Sequence, residues 1–198
     1  MDTISEKPGY GRKMTAKEIN DHPLKRYKGS IQVIKTKKEL LSAYNELACE
    51  KILGFDTETR PAFKKGISYP PALIQLASSK KVYIFQLIYL KFSGKIREIL
   101  SNSNIVKAGV AVDFDINQLQ EMERFQPEGF VDLSDFAKQS GIKNFGLRGL
   151  AAVALGFRIS KHARTTNWAA KDLTRPQIQY AATDAWVGRE IYLTLKNN

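Results

Sequence analysis

The stretch Lys51-Ile-Leu-Gly-Phe-Asp-Thr-Glu-Thr59 opens apolar and ends in two carboxylates. Read as a strand, it alternates its side chains, so Asp56 and Glu58 share one face and Thr57 takes the other. Two like charges on one face of a buried strand repel, and they are costly to desolvate unless a cation lies between them. Magnesium or manganese, hard ions that take carboxylate oxygens, would answer that need. The plainer alternative is a strand end running into solvent, so partners elsewhere must decide. In Val112-Asp-Phe-Asp-Ile-Asn-Gln-Leu-Gln-Glu-Met122, helical spacing aligns Asp115 with Val112, Leu119 and Met122 on an inward stripe. Asp113 falls with Asn117, Gln120 and Arg124, where it is suited to capping the helix. On its own, Asp115 would read as an acid satisfying the helix dipole. Further on, Tyr180 and Asp184 are four apart and share a helix face with Val187, Ile191 and Leu195. A lone Tyr180 would read as a core aromatic with its hydroxyl at the surface.

These residues need a scaffold, and the chain supplies one. Residues 1 to about 28 carry Pro8, Gly9, Gly11 and Pro23 without a sustained apolar period. They read as an irregular basic arm, with Lys25-Arg26-Tyr27-Lys28 either touching nucleic acid or forming a solvated lead-in. Residues 29–198 read as one domain. Ile31–Ile34 is a short strand, and Thr36-Lys-Lys-Glu39 is a capping box opening a helix with Leu40, Leu41, Tyr44 and Leu47 at helical spacing. The strand at 51–58 is followed by strands at 72–77 and 82–85, an antiparallel meander by their short links. Then come a helix at 89–101, a strand at 105–110, a helix at 113–124, a strand at 130–133 and helices at 134–140, 146–155 and 175–195. Thr174 with Gln177 caps the last helix, and Pro176 is tolerated in its first turn. The expected fold is α/β, a mixed sheet with helices on both faces.

Composition narrows the chemistry. A chain of 198 residues, 43% hydrophobic, can bury a full core. One cysteine, Cys49, excludes an internal disulfide and a cysteine-based zinc site, and it reads as a packing residue in a reducing compartment. Two histidines exclude a histidine-rich metal site. Lys and Arg outnumber Asp and Glu by 31 to 20, a formal charge of +11 that suits a polyanionic partner or plain solubility. No apolar run approaches membrane-spanning length, and Met1–Lys7 has no signal-peptide character. The expectation is a cytoplasmic protein without a membrane partner; its oligomeric state is not readable.

Taken together, Asp56-Thr-Glu58, Asp115 and Tyr180-Ala-Ala-Thr-Asp184 resemble the three motifs of the DEDD superfamily of 3′–5′ exonucleases. The Tyr-x-x-x-Asp spacing marks its DEDDy branch; the sister branch carries His where Gln179 stands. Gly54-Phe55, Ala72-Leu-Ile-Gln-Leu76, Lys107-Ala-Gly-Val110, Asn167-Trp168 and Leu173-Thr174 agree. The resemblance covers about residues 31–195, nearest the Werner-syndrome-type exonuclease and ribonuclease D subgroup. The stretch before Asp115 departs from the Asn-rich form of polymerase proofreading domains. The helical HRDC-like extension of full-length ribonuclease D is not expected.

The resemblance implies a ribonuclease H-like fold and a metal-dependent hydrolase that releases nucleoside monophosphates from single-stranded or frayed 3′ ends of DNA or RNA. It implies two divalent cations, Mg²⁺ or Mn²⁺, held by Asp56, Glu58, Asp115 and Asp184. Asp56 would bridge both ions, Glu58 and Asp184 would complete the site of the water-activating ion, and Asp115 would serve the second through water. Tyr180 would position the attacking water. For substrate, the basic segment Arg158–Arg175 offers Lys161 and Arg164 to phosphates, and Phe63, Lys64 and Lys65 are placed to meet terminal bases. Trp168 reads as packing. Two other readings stand beside this one: a nucleic-acid-binding module of the same fold with weak or no turnover, and a structural α/β domain whose acids are caps.

Overall fold

A computed structural model describes residues 8–64 and 66–197. In chain order the elements are α1 (Ala16–Asp21), β1 (Ser30–Ile34), α2 (Lys37–Leu47), β2 (Ile52–Thr59), β3 (Pro71–Ala77), β4 (Lys81–Gln86) and α3 (Leu87–Leu90). They continue as α4 (Gly94–Leu100), β5 (Val106–Gly109), α5 (Val112–Met122), β6 (Phe130–Asp132), α6 (Leu133–Gln139), α7 (Leu147–Leu155) and α8 (Arg175–Lys196). One six-stranded sheet runs in the order β1-β4-β3-β2-β5-β6. The expected meander is there: β2, β3 and β4 pair antiparallel, while β5 and β6 extend the sheet parallel to β2. β1 closes the other edge, parallel to β4.

The alternation of β2 divides the core. Leu53 and Phe55 point to one face, where they join Ile74, Leu76 and Phe85 under α2, α4 and α5. The opposite face, with Leu73, Ile84 and Ala108, is covered by α6, α7 and α8. Helices therefore flank both faces, as the pattern requires. The two expected capping boxes form, Thr36 with Glu39 and Thr174 with Gln177. The Gln177 amide also donates to Thr166 Oγ1 and the Asn167 carbonyl, each at 3.1 Å, which ties the preceding loop to the start of α8.

Three expectations change. The helix expected at 89–101 is two pieces, because Lys91 takes a positive φ of 53° and ends α3 before Ser93 starts α4. The N-terminal arm is not irregular throughout: Thr15 and Glu18 form a capping box for α1, which packs on α7. Cys49 is exposed just beyond α2 rather than packed.

Candidate active site

Gly54 decides how near α8 comes to β2. A Cβ on Gly54 would lie 1.8 Å from the Ala185 carbonyl oxygen, so only hydrogen at this position admits the helix. Gly188 repeats the arrangement one strand over, where a Cβ would approach the Ala108 oxygen to 3.0 Å. Small residues at 181, 185 and 188, spaced i, i+4 and i+7, give α8 a flat face for this contact. Asp56 and Glu58 follow Gly54 at the next two same-face positions of β2, so their carboxylates point toward α8. There they meet Asp184. Ligand oxygens of Asp56, Glu58 and Asp184 all lie within 4.8 Å of one another.

Asp115 arrives from the other side. β5 pairs with β2 only as far as Gly54 and stops at Gly109. The chain then turns through Ala111, with φ 58°, into α5. The N-terminus of α5 is capped from outside, since the Val112 N–H donates to Asp132 Oδ2 at 3.1 Å. Asp113 is exposed and does not cap this helix. Val112 and Leu119 are buried and Asp115 is half-buried beside them, so the inward stripe is as spaced. Thr57 donates its hydroxyl to Asp115 Oδ1 at 2.7 Å and thereby orients that carboxylate. All four acids line one cleft of about 610 Å³ at the carboxyl ends of β2 and β5.

Crowding of acids dominates the electrostatics. Burial, then the charges of Glu58, Asp184 and Asp115, hold the Asp56 carboxyl well above its usual range. Glu58 is pushed up to about 9 by burial, then Asp184 and Asp115, with Arg164 opposing. Burial raises Asp184 to about 7 against a stabilising hydrogen bond from Tyr180. Asp115 is raised to about 6 by burial, with the Thr57 hydrogen bond opposing. At neutral pH such a cluster keeps protons unless a cation replaces them. Asp184, only 8% exposed, has Oδ1 buried without a hydrogen-bond partner. An orphaned carboxylate oxygen beside two further carboxylates, with no nitrogen or sulfur ligand in the group, fits a hard divalent ion. Burial, then the charges of Asp184 and Glu58, hold the Tyr180 phenol above its normal range, so it remains a neutral hydroxyl. Its ring packs 5.8 Å from the fully buried Trp168, the packing residue expected.

Of the expected nucleic-acid contacts, Lys161 and Arg164 line the acid cleft. Phe63 and Lys64 do not. They line a separate small cleft with Tyr69, Thr165 and Asn167, where Phe63 is 86% exposed. No periodicity in the sequence sets the direction of the loop after β2. Lys65 lies outside the described residues. Sequence reasoning missed Thr57, Phe114, Phe145 and Arg148, of which the last three line the acid cleft. An exposed aromatic next to a helical acid was the available signal for Phe114.

Comparison with known proteins decides the family. A family model described as 3′-5′ exonuclease matches residues 31–198. The chain belongs to this 3′–5′ exonuclease family. It is 36% identical over 152 residues to the Mus musculus bifunctional 3′-5′ exonuclease/ATP-dependent helicase WRN, covering 74% of this chain and 11% of that protein. It is 32% identical over 170 residues to the Drosophila melanogaster exonuclease 3′-5′ domain-containing protein 2, covering 84% of this chain and 29% of that protein. The chain therefore spans under a third of either relative. Among solved structures, the Aedes aegypti Nibbler EXO domain superposes with a TM-score of 0.80 at 20% identity, covering 87% of this chain and 91% of that one. Escherichia coli RNase D gives 0.76 at 22% identity, covering 85% and 44%. The fold is thus that of the ribonuclease H-like exonuclease domains, as the motifs implied.

Proposed function

We propose that this exonuclease domain hydrolyses the terminal phosphodiester at the 3′ end of a nucleic acid, releasing nucleoside monophosphates. The observation that carries this reading is the convergence of Asp56, Glu58 and Asp184 within 4.8 Å, one of them with an unpartnered buried oxygen. Asp56, Glu58 and Asp184 would hold one divalent cation, and Asp115 with Asp56 a second, as Mg²⁺ or Mn²⁺. Such ions polarise the phosphoryl oxygens, activate water and stabilise the leaving 3′ oxygen.

The protein's own groups do the rest. Thr57 fixes the Asp115 carboxylate, leaving its other oxygen for the cleft. Tyr180, neutral and one helical turn from Asp184, directs its hydroxyl to orient the attacking water. Trp168 holds the Tyr180 ring in place. Arg164, close enough to oppose the shift of Glu58, offers charge to a substrate phosphate. RNA is a substrate consistent with the neighbours, since one similar structure, Trypanosoma brucei RNase D, is a complex with RNA U12 (TM-score 0.75, 20% identity); single-stranded DNA is the alternative.

Matched DNA and RNA oligonucleotides labelled at either end test the reading. A 3′ label should leave as a mononucleotide in the first turnover, while a 5′ label should persist on a shortening ladder. Early release of the 5′ label, or internal cuts, would contradict it.

A further inference from the structure

A second cleft, of about 1030 Å³, joins the acid cleft at Ser160, Tyr180 and Asp184, which line both. One wall is the N-terminal arm. The Lys25 N–H donates to the Arg158 carbonyl at 2.9 Å, and the Tyr27 N–H donates to Thr183 Oγ1 at 3.1 Å. The Gln179 amide donates back to the Tyr27 carbonyl at 2.6 Å, and the Tyr27 ring packs 5.7 Å from Trp186. Tyr27 is thus pinned to α8, half-buried, while Arg26 and Lys28 on either side of it are exposed and line the cleft. Arg175 supplies a cation from the start of α8.

The charge of this cleft is unbalanced. Lys25, Arg26, Lys28 and Arg175 line it, and among the described residues Asp184 is its one carboxylate. Among the described residues, none of those four cations forms an ion pair. Lys25 Nζ lies 4.9 Å over the Phe157 ring, but like charges gathered without anionic partners repel, and a polyanion that displaces their counterions relieves that cost. Trp186, half-buried and stacked on Phe157, adds ring surface to the wall of the basic groove.

We propose that the arm cleft is the track of a single-stranded nucleic acid entering the acid cleft, with Arg26, Lys28 and Arg175 meeting its backbone phosphates upstream of the terminal nucleotide. The assignment rests on the acid cleft being the exonuclease site, but it is tested by binding, apart from hydrolysis. Fluorescence anisotropy of a 5′-labelled single-stranded oligonucleotide, titrated in EDTA across a salt series, reads it directly. In the full chain, Arg26→Gln/Lys28→Gln should weaken binding, and the slope of log affinity against log salt should shrink by about 1.4, or about 0.7 for each phosphate no longer neutralised.

Lys37→Gln/Lys38→Gln removes the same charge from exposed positions of α2, on the other face of the sheet, and should bind as the wild type does. Arg175→Gln repeats the test from the opposite wall and should weaken binding and reduce the slope by about 0.7. Unchanged affinity and slope in the arm variant, or equal losses in the arm and α2 variants, would overturn the track. A wild type that binds through the arm yet releases no nucleotide would support the track and remove the hydrolytic reading. A wild type that hydrolyses while the arm variant binds normally would do the reverse.

Discussion

At the scale of residues, Tyr180 and Asp184 separate the two proposed roles, orientation of water and ligation of metal. Tyr180→Phe keeps the ring on Trp168 and removes only the hydroxyl, so binding of metal and strand should survive while turnover falls. A positioned catalytic group is worth about 10²–10⁴-fold, and one neutral hydroxyl should fall near the low end. Asp184→Asn should cost more, because it removes a proposed ligand of the metal site itself; single-turnover rates for the two variants would rank them. Equal losses would contradict the division of roles. Much of this was legible beforehand, since each acid stands in a regular element. Strand alternation put Asp56 and Glu58 on one face, and helical spacing put Asp115 and Asp184 on inward stripes. Thr57 was not legible as a partner of Asp115. Its hydrogen bond spans 58 positions and depends on a turn at Ala111, a non-glycine with positive φ that no local pattern announces.

Elements carry the next level, and α8 matters most among them. Gly54→Ala would press a methyl group into the Ala185 carbonyl, and overpacking of this kind typically costs about 1–3 kcal/mol. Because the colliding atom is backbone, relief requires α8 to move away from β2, and Asp184 would move with it. The variant should therefore lose both thermal stability and turnover. Native turnover at a normal melting temperature would show that α8 is not held where we describe it. The capping box is a milder probe: Thr174→Ala should lower stability by about 1 kcal/mol, measured by denaturant midpoint. Sequence pattern gave the caps and the meander, because those rest on neighbours a few residues apart. It did not set the course of the loop that puts Phe63 and Lys64 in a cleft apart from the acids, and it merged α3 with α4 across Lys91.

For the whole molecule, the acid cluster links stability to pH and to metal. In the folded, metal-free protein Glu58, Asp184 and Asp115 sit at about 9, about 7 and about 6, above the carboxyl values of about 4 expected when unfolded. Between those limits the folded state holds more protons, so the contribution of these groups to stability falls as pH rises from about 4 to about 9. Asp184→Asn should raise the melting temperature in EDTA at about pH 8 and have little effect at about pH 5, by the same linkage. Saturating manganese should stabilise the wild type more than this variant, since only the wild type keeps the full proposed ligand set. A melting temperature in EDTA that Asp184→Asn lowers at the higher pH would refute the proposed crowding. The central claim, that these carboxylates form a metal-dependent hydrolytic site, is tested most directly by Asp56→Ala assayed for mononucleotide release from a 3′-labelled strand. With folding verified by circular dichroism, the wild type should release the label in magnesium or manganese and stop in EDTA, and the variant should release none. Release by folded Asp56→Ala at near the wild-type rate would contradict it.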